Sequence, residues 1–194
     1  MPIAEIVRWV VYAFNYPHTI DNGQGESLTF LRRIPIPEGD VLEVENTVQP
    51  AVGPPMHVHH FQEEALTVVE GRIGYQRKGE EPRFAGPGET VVFKPGEVHR
   101  FWNAGEGLLK CSGYIKPADS IEYFLSGIYA AQKKAGSLRP DMFEAAYLSR
   151  RYRSEFAMDE IPAFVQRFLF PIVVLIGTLT GKYQKFADAP PPAR

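Results

Sequence analysis

Short apolar stretches alternate with turn-forming residues through the centre of the chain. The apolar stretches cover residues 27–34, 41–48, 64–76, 90–93, 100–103 and 108–116. The turn signals between them, rich in glycine, lie at residues 21–23, 37–39, 86–88 and 104–105. Many short strands separated in this way predict an all-β sandwich or barrel.

Beyond the last of these strands, apolar residues recur at the spacing of a helix face. The first such face consists of Ile121, Phe124, Leu125, Ile128 and Tyr129. Asp119 or Ser120, just ahead of it, is a candidate N-cap. A second helix is predicted to begin near Pro140, and a third helical segment covers residues 161–183. An α-helical appendage therefore follows the β-rich part of the chain.

These changes in pattern predict four parts along the chain. They are an N-terminal arm over 1–19, a β-domain over 20–118, the helical appendage over 119–186 and a loose, proline-rich tail over 187–194. Within the arm, β-branched and aromatic residues at 6–14 favour a strand that pairs with a sheet edge, in this or a partner subunit. Charges at Glu5 and Arg8 interrupt this stretch and no small-residue cleavage site follows. We therefore expect no signal peptide.

A run without charge lies between Arg167 and Lys182 in the third helical segment. It is shorter than the about 20 apolar residues that a membrane-spanning helix needs, and Pro171 and Gly177 weaken it as a helix. Three interpretations of this segment remain open. It is a helix of the core or of a dimer interface, it lies in a membrane surface with the help of neighbouring basic residues, or it is a true membrane anchor. We favour the first, and expect residues 164–179 to be mostly helical and buried against the barrel or a second subunit. Peripheral membrane contact through residues 164–181 is the alternative.

The net charge of the chain bears on whether it binds nucleic acid. A formal net charge of −2, with no basic stretch carrying interleaved aromatic residues, gives no reason to expect a nucleic-acid partner. The single cysteine, Cys111, cannot form an intramolecular disulfide, and it is interpreted as a small buried residue. These properties suit a cytoplasmic protein.

Four of the five histidines lie in two clusters, at residues 53–64 and 88–103. On a strand, alternate side chains leave the same face, so His57 and His59 can point at one ion. Of the two following carboxylates, Glu64 shares its face with Leu66 and Val68, whereas Glu63 shares its face with Ala65 and Thr67. Because an inward-facing ligand should be in phase with the larger apolar side chains, we favour Glu64.

A turn at residues 95–97 precedes the next strand, on which His99 and Asn103 share one face. Three imidazoles and one carboxylate suit a single first-row divalent metal ion. The predicted ligands are therefore His57, His59, Glu64 and His99. Asn103 either supports a ligand or caps a turn, and His18 and His60 are not assigned as ligands.

The two clusters resemble the motifs of the cupin superfamily. In the first motif, His57 and His59 are followed by Glu64 and, after six residues, by Gly71; the second consists of Gly88, Gly96, His99 and Asn103. Two features depart from the family pattern: Gly53 lies only three residues ahead of His57, and Lys94 stands where proline is usual. The resemblance covers residues 20–118 and implies a double-stranded β-helix, or jelly-roll barrel, with an internal metal site.

Cupins have many activities, so the fold alone does not choose one. The ligand set resembles that of quercetinase-like cupins. It implies a metal-dependent dioxygenase of a small organic molecule, with Fe, Mn, Ni, Cu or Zn as the ion and Glu64 as catalytic base. Two alternatives stay open: a non-catalytic cupin that binds a small ligand and reports through the helical appendage, and a metal-assisted isomerase or hydrolase. Because cupins commonly pair, we also expect a homodimer.

Overall fold

The computed structural model of the protein describes residues 14–37 and 39–193. Eleven strands are β1 His18–Asp21, β2 Glu26–Ile34, β3 Val41–Val48, β4 His57–His59, β5 Glu63–Glu70, β6 Ile73–Arg77, β7 Arg83–Ala85, β8 Thr90–Phe93, β9 Val98–Asn103, β10 Leu109–Lys116 and β11 Phe156–Met158. The helices are α1 Ile121–Ala135, α2 Met142–Arg151 and α3 Phe170–Leu179. A π-helical turn, Val165–Leu169, precedes α3, and a 3₁₀ turn, Gln184–Phe186, follows it.

The strands form two antiparallel sheets. The six-stranded sheet has the order β1-β2-β3-β10-β5-β8, and the five-stranded sheet has the order β11-β4-β9-β6-β7. Apolar side chains from both sheets meet in one buried cluster, for example Leu66 and Phe93 from the first sheet and Ile73 and Phe101 from the second. The predicted all-β jelly roll with helices at its C-terminal end is confirmed. Within the described residues the two sheets stay separate, as a sandwich, and do not close into a barrel.

Two strand boundaries differ from the sequence-based expectation. The strand expected over 6–14 lies, except for Phe14, outside the described residues. β1 begins at His18, inside the segment assigned to the N-terminal arm. In addition, β11 comes from the segment expected to be helical, and it pairs with β4 at the sheet edge. Three residues are too few to carry an alternating pattern, so this strand could not be predicted from local periodicity.

Helix α1 covers the sandwich with the apolar face that its spacing predicts. Ile121 and Phe124 lie in the buried cluster that also contains Phe30 and Leu42 of the six-stranded sheet. Ser120 occupies the N-cap position, but its hydroxyl donates to Glu155 at 2.7 Å instead of capping the helix. The helix therefore owes its position to this burial and not to its cap.

Helix α3 is helical as expected, and one face of it is buried, although against α2 and not against the sandwich. Phe170 and Val173 pack against Ala146 of α2. The opposite face is exposed, including Ile172 at 55% and Leu175 at 59%, and Phe168 in the preceding π-helical turn is 64% exposed. Since α3 lies on α2, the sandwich cannot cover that face, and coverage by a second subunit stays a prediction. Among the residues described, no helix combines the length and apolar character needed to cross a membrane.

The tail was expected to be loose, yet its described part is held by hydrogen bonds. The Arg151 guanidinium donates to the carbonyl oxygens of Ala189 and Pro190, and the Tyr152 hydroxyl donates to Pro190 at 3.0 Å. The backbone N–H of Ala193 donates to Glu155 at 2.8 Å. These bonds fasten the tail to α2 and to the turn that follows it.

Candidate metal centre

Three short strands bring the predicted ligands together. His57 and His59 lie at the two ends of β4, and His99 lies directly opposite His57 on β9 in the five-stranded sheet. Glu64 comes from β5 in the facing six-stranded sheet. The four side chains can each offer a ligand atom, and these atoms lie within 4.8 Å of one another. The sequence thus identified a set of residues that do converge; that they hold a metal ion stays a prediction.

The choice of Glu64 over Glu63 follows the alternation of β5. Glu64 is buried, like Leu66 and Val68, and its Oε2 lies 3.1 Å from His99 Nε2 and 3.7 Å from His59 Nε2. Glu63 points to the other face, where its carboxylate accepts a hydrogen bond from the Tyr114 hydroxyl at 2.7 Å. Glu63 is therefore outside the cluster.

Backbone carbonyl groups fix the tautomers of two imidazoles. His57 Nδ1 donates to the Pro55 carbonyl oxygen and His99 Nδ1 donates to the Glu97 carbonyl oxygen, both at 2.8 Å. In a neutral imidazole the other nitrogen then carries a lone pair, so each Nε2 is available to a metal ion. For His99 this lone pair faces a carboxylate oxygen of Glu64, another acceptor. A cation between the two would satisfy both.

The charges of the cluster also fit a cation. Burial lowers the pKa of His57 to about 4 and that of His59 to about 3, so both are neutral near pH 7. For Glu64, burial acts to raise the pKa, but the close contact with His99 and the adjacent imidazoles outweigh it and lower the pKa to about 2. An ionised carboxylate is thus buried beside the neutral imidazoles of His57 and His59. These are the protonation states that metal binding requires, and the buried negative charge calls for a positive partner.

The neighbouring residues support the cluster but do not add further ligand atoms to it. Asn103 donates to the carbonyl oxygens of Val48 and Gly107 and accepts from Gly105 N–H, so it ties the turn after β9. The Phe93 ring stacks on His99 with centroids 3.8 Å apart and an interplanar angle of 9°. Sequence reasoning missed this contact, because it depends on how the chain crosses from β8 in one sheet to β9 in the facing sheet. His18 pairs with Glu122 and His60 is exposed, so neither joins the cluster.

A cavity of about 420 Å³ adjoins the cluster. His57, His59 and Glu64 form part of its wall, and the rest is mostly apolar. The helix α1 contributes one stripe to this wall, comprising Ile121, Phe124, Leu125, Ile128, Tyr129 and Gln132. The helical face recognised in the sequence therefore closes a cavity. Its size and apolar lining are those of a small-molecule site.

The two facing antiparallel sheets form the double-stranded β-helix that the motifs predict, and the cluster of three imidazoles and one carboxylate lies between them. Residues 44–111 match the family described as "Cupin domain", and all four cluster residues lie within this match. The match supports the resemblance to cupins that the two motifs predict for this part of the chain.

Two curated relatives share about half of the chain or more. One is "Epoxidase atD" of Aspergillus terreus, 29% identical over 96 residues, which are 49% of this chain and 30% of the relative. The other is "Probable oxidoreductase patJ" of Aspergillus clavatus, 28% identical over 123 residues, which are 63% of this chain and 34% of the relative. The chain thus matches about a third of the length of each relative.

Among solved structures, similarity extends to an uncharacterised conserved protein with a double-stranded β-helix domain from Klebsiella pneumoniae. The identity is 20% and the TM-score 0.43, with 48% of this chain and 78% of that chain covered.

Proposed function

We propose that the protein is a metal-dependent oxygenase of a small, mainly apolar organic molecule. The observation that carries the proposal is the cluster itself: ligand atoms from two facing sheets, within 4.8 Å of one another, in the wall of a cavity of about 420 Å³. The names of the two fungal relatives, an epoxidase and a probable oxidoreductase, support oxidation chemistry for this chain as well.

Each residue has a role in this proposal. His57, His59 and His99 would hold one divalent ion, and the backbone carbonyls of Pro55 and Glu97 keep the rings of His57 and His99 oriented. A bound redox-active ion supplies positions for dioxygen and substrate together with the electron transfer between them. The apolar wall excludes water from the reacting groups.

Glu64 has two tasks. As an ionised carboxylate it completes the ligand set. Its carboxylate, which lies in the cavity wall, would also accept a proton from a substrate hydroxyl, which is the base role expected from the sequence. Its contacts with His59 and His99 keep it directed at the same point.

Metal analysis and oxygen uptake test the proposal. We expect about one transition-metal ion per native chain, and O₂ consumption with some member of a phenol and diketone screen after reloading with Fe, Mn, Ni or Cu. His57→Ala should lose both. His60→Ala is the matched control, because His60 is exposed beside the same strand, and it should keep both. Zinc as the sole native metal, with no uptake after any reloading, would refute the oxygenase.

One observation favours a second candidate, a cupin that binds its ligand without transforming it. α1 forms part of the cavity wall, so an occupied cavity acts directly on the helical appendage. Ligand binding without O₂ uptake or any chemical change of the ligand would support this function. An altered product without O₂ uptake would instead support an isomerase or hydrolase.

A further inference from the structure

A second polar group lies in the same cavity. On β2 and β3 the inward positions are apolar, as Leu28 and Val44 illustrate, except for Glu26 and Asn46. Both polar side chains line the cavity and are only 5% and 4% exposed, respectively. Polar residues at inward positions of a strand are a signal that sequence reasoning overlooked. They need partners, because burying an unpaired polar group is unfavourable.

Some polar atoms of this group have hydrogen-bond partners and others have none. Asn46 Nδ2 donates to Glu26 Oε1 at 3.0 Å, and the Tyr129 hydroxyl from α1 hydrogen-bonds to the same carboxyl group. Asn46 Oδ1 is buried and has no hydrogen-bond partner among the described residues. On the next turn of α1, Gln132 Nε2 donates to the Leu138 carbonyl oxygen, whereas its buried Oε1 likewise lacks a partner within the described part of the chain. Two buried acceptors on residues that line the cavity are therefore unused.

We propose that Glu26, Asn46, Tyr129 and Gln132 form a polar subsite that receives a hydroxyl group, or another neutral hydrogen-bond donor, of the molecule bound in the cavity. The ligand is then a mainly apolar molecule with two polar ends. One end reaches the cluster of His57 and its neighbours, and the other donates to Asn46 Oδ1 or Gln132 Oε1. The inference rests on the proposed function only in calling this molecule a substrate.

A neutral donor fits this subsite better than a cation does. Burial raises the pKa of the Glu26 carboxyl group above its usual range; the hydrogen bonds with Asn46 and Tyr129 oppose this effect, and the charge of Glu64 adds to it. Glu26 therefore presents less negative charge than a solvated carboxylate. The two unused acceptors are amide oxygens and carry no charge.

Two probes that differ only in a donor test the subsite: 2-naphthol and 2-methoxynaphthalene. Dissociation constants are measured by fluorescence titration of the full chain after treatment with a chelator, so that no metal ion binds the hydroxyl. We expect 2-naphthol to bind about tenfold tighter, the value of one hydrogen bond to a buried acceptor. Asn46→Leu and Gln132→Met, which retain side-chain size, should each reduce this preference, and the double variant should abolish it.

Leu125→Ala is the matched control. Leu125 lines the cavity from α1 but offers no polar atom, so this substitution should weaken both probes equally and leave their ratio unchanged. The inference is overturned if the unsubstituted protein shows no preference, if the preference survives in the double variant, if it appears only with metal bound, or if neither probe binds. A preference without any O₂ uptake would sustain the subsite while the oxygenase fails.

Discussion

Replacing Glu64 with glutamine tests whether the metal ion ties the two sheets together. The three histidines come from the five-stranded sheet and Glu64 comes from the six-stranded sheet. A bound ion therefore links the two layers of the sandwich. Glutamine keeps the size of the side chain but removes the negative charge that a divalent ion requires. The expected result is a protein that folds as before but is no longer stabilised by added metal.

The magnitude follows from linkage. A ligand at 100 times its dissociation constant stabilises the folded state by about 2.7 kcal/mol. For a chain of this length, 1 kcal/mol shifts Tm by roughly 2–4 °C. Added Mn²⁺ or Ni²⁺ should therefore raise the Tm of the chelator-treated protein by roughly 5–10 °C, and the rise should nearly vanish in Glu64→Gln.

Differential scanning calorimetry with and without the metal gives this comparison, and Glu63→Gln is its control. Glu63 is the adjacent residue on the same strand, but its carboxylate lies on the other face and accepts from Tyr114. This variant should retain the full metal-dependent rise. An equal rise in Glu64→Gln, or its loss in Glu63→Gln instead, would refute the alternation argument that assigned the ligand.

Three further predictions concern other parts of the molecule. Burial raises the pKa of the Cys111 thiol to about 12. At pH 7.5 the folded protein should therefore contain about 10³-fold less thiolate than a free cysteine. Iodoacetamide labelling, followed by mass spectrometry, should be slow until urea unfolds the chain. Phe156→Ala removes a ring that stacks on Phe124 at 4.8 Å and should cost about 3–5 kcal/mol in urea unfolding, whereas Met142→Ala, at an exposed position, should change stability by at most about 0.5 kcal/mol. Phe168→Ser combined with Leu175→Ser should convert a dimer to a monomer in sedimentation velocity, because both side chains are exposed in the α3 region. An unchanged mass, with only the unsubstituted protein floating with liposomes, would show that a membrane surface covers these side chains instead.

The sequence predicted best what local patterns determine. Alternation along β5 placed Glu64 inside and Glu63 outside, and the two-residue spacing placed His57 and His59 together. Helical spacing likewise identified the face of α1. These features depend on the strand and helix periods alone, so neighbouring residues suffice to predict them.

Features set by the arrangement of the strands and helices in space were not predicted. Phe93 reaches His99 only because β8 and β9 lie in facing sheets. The π-helical turn and α3 were recognised as apolar, but apolar character does not specify which surface covers a helix. The sequence analysis therefore left two covers open, the barrel or a second subunit, and did not predict that one face of α3 packs on α2. The unused acceptors of Asn46 and Gln132 could not be predicted either, because they depend on how β3 and α1 pack around the same cavity.

The pairing of β11 with β4 bears on how this domain can be excised. Phe156 lies opposite His59 and Met158 lies opposite His57, so the appendage supplies the outer neighbour of the strand that carries two of the predicted ligands. A fragment ending near residue 118 would leave β4 as a bare edge, open to pairing with other chains. The same fragment would lack α1 and would expose the apolar cavity to water. A fragment intended to fold as this domain should therefore extend at least through residue 158, so that it includes both the sandwich and β11.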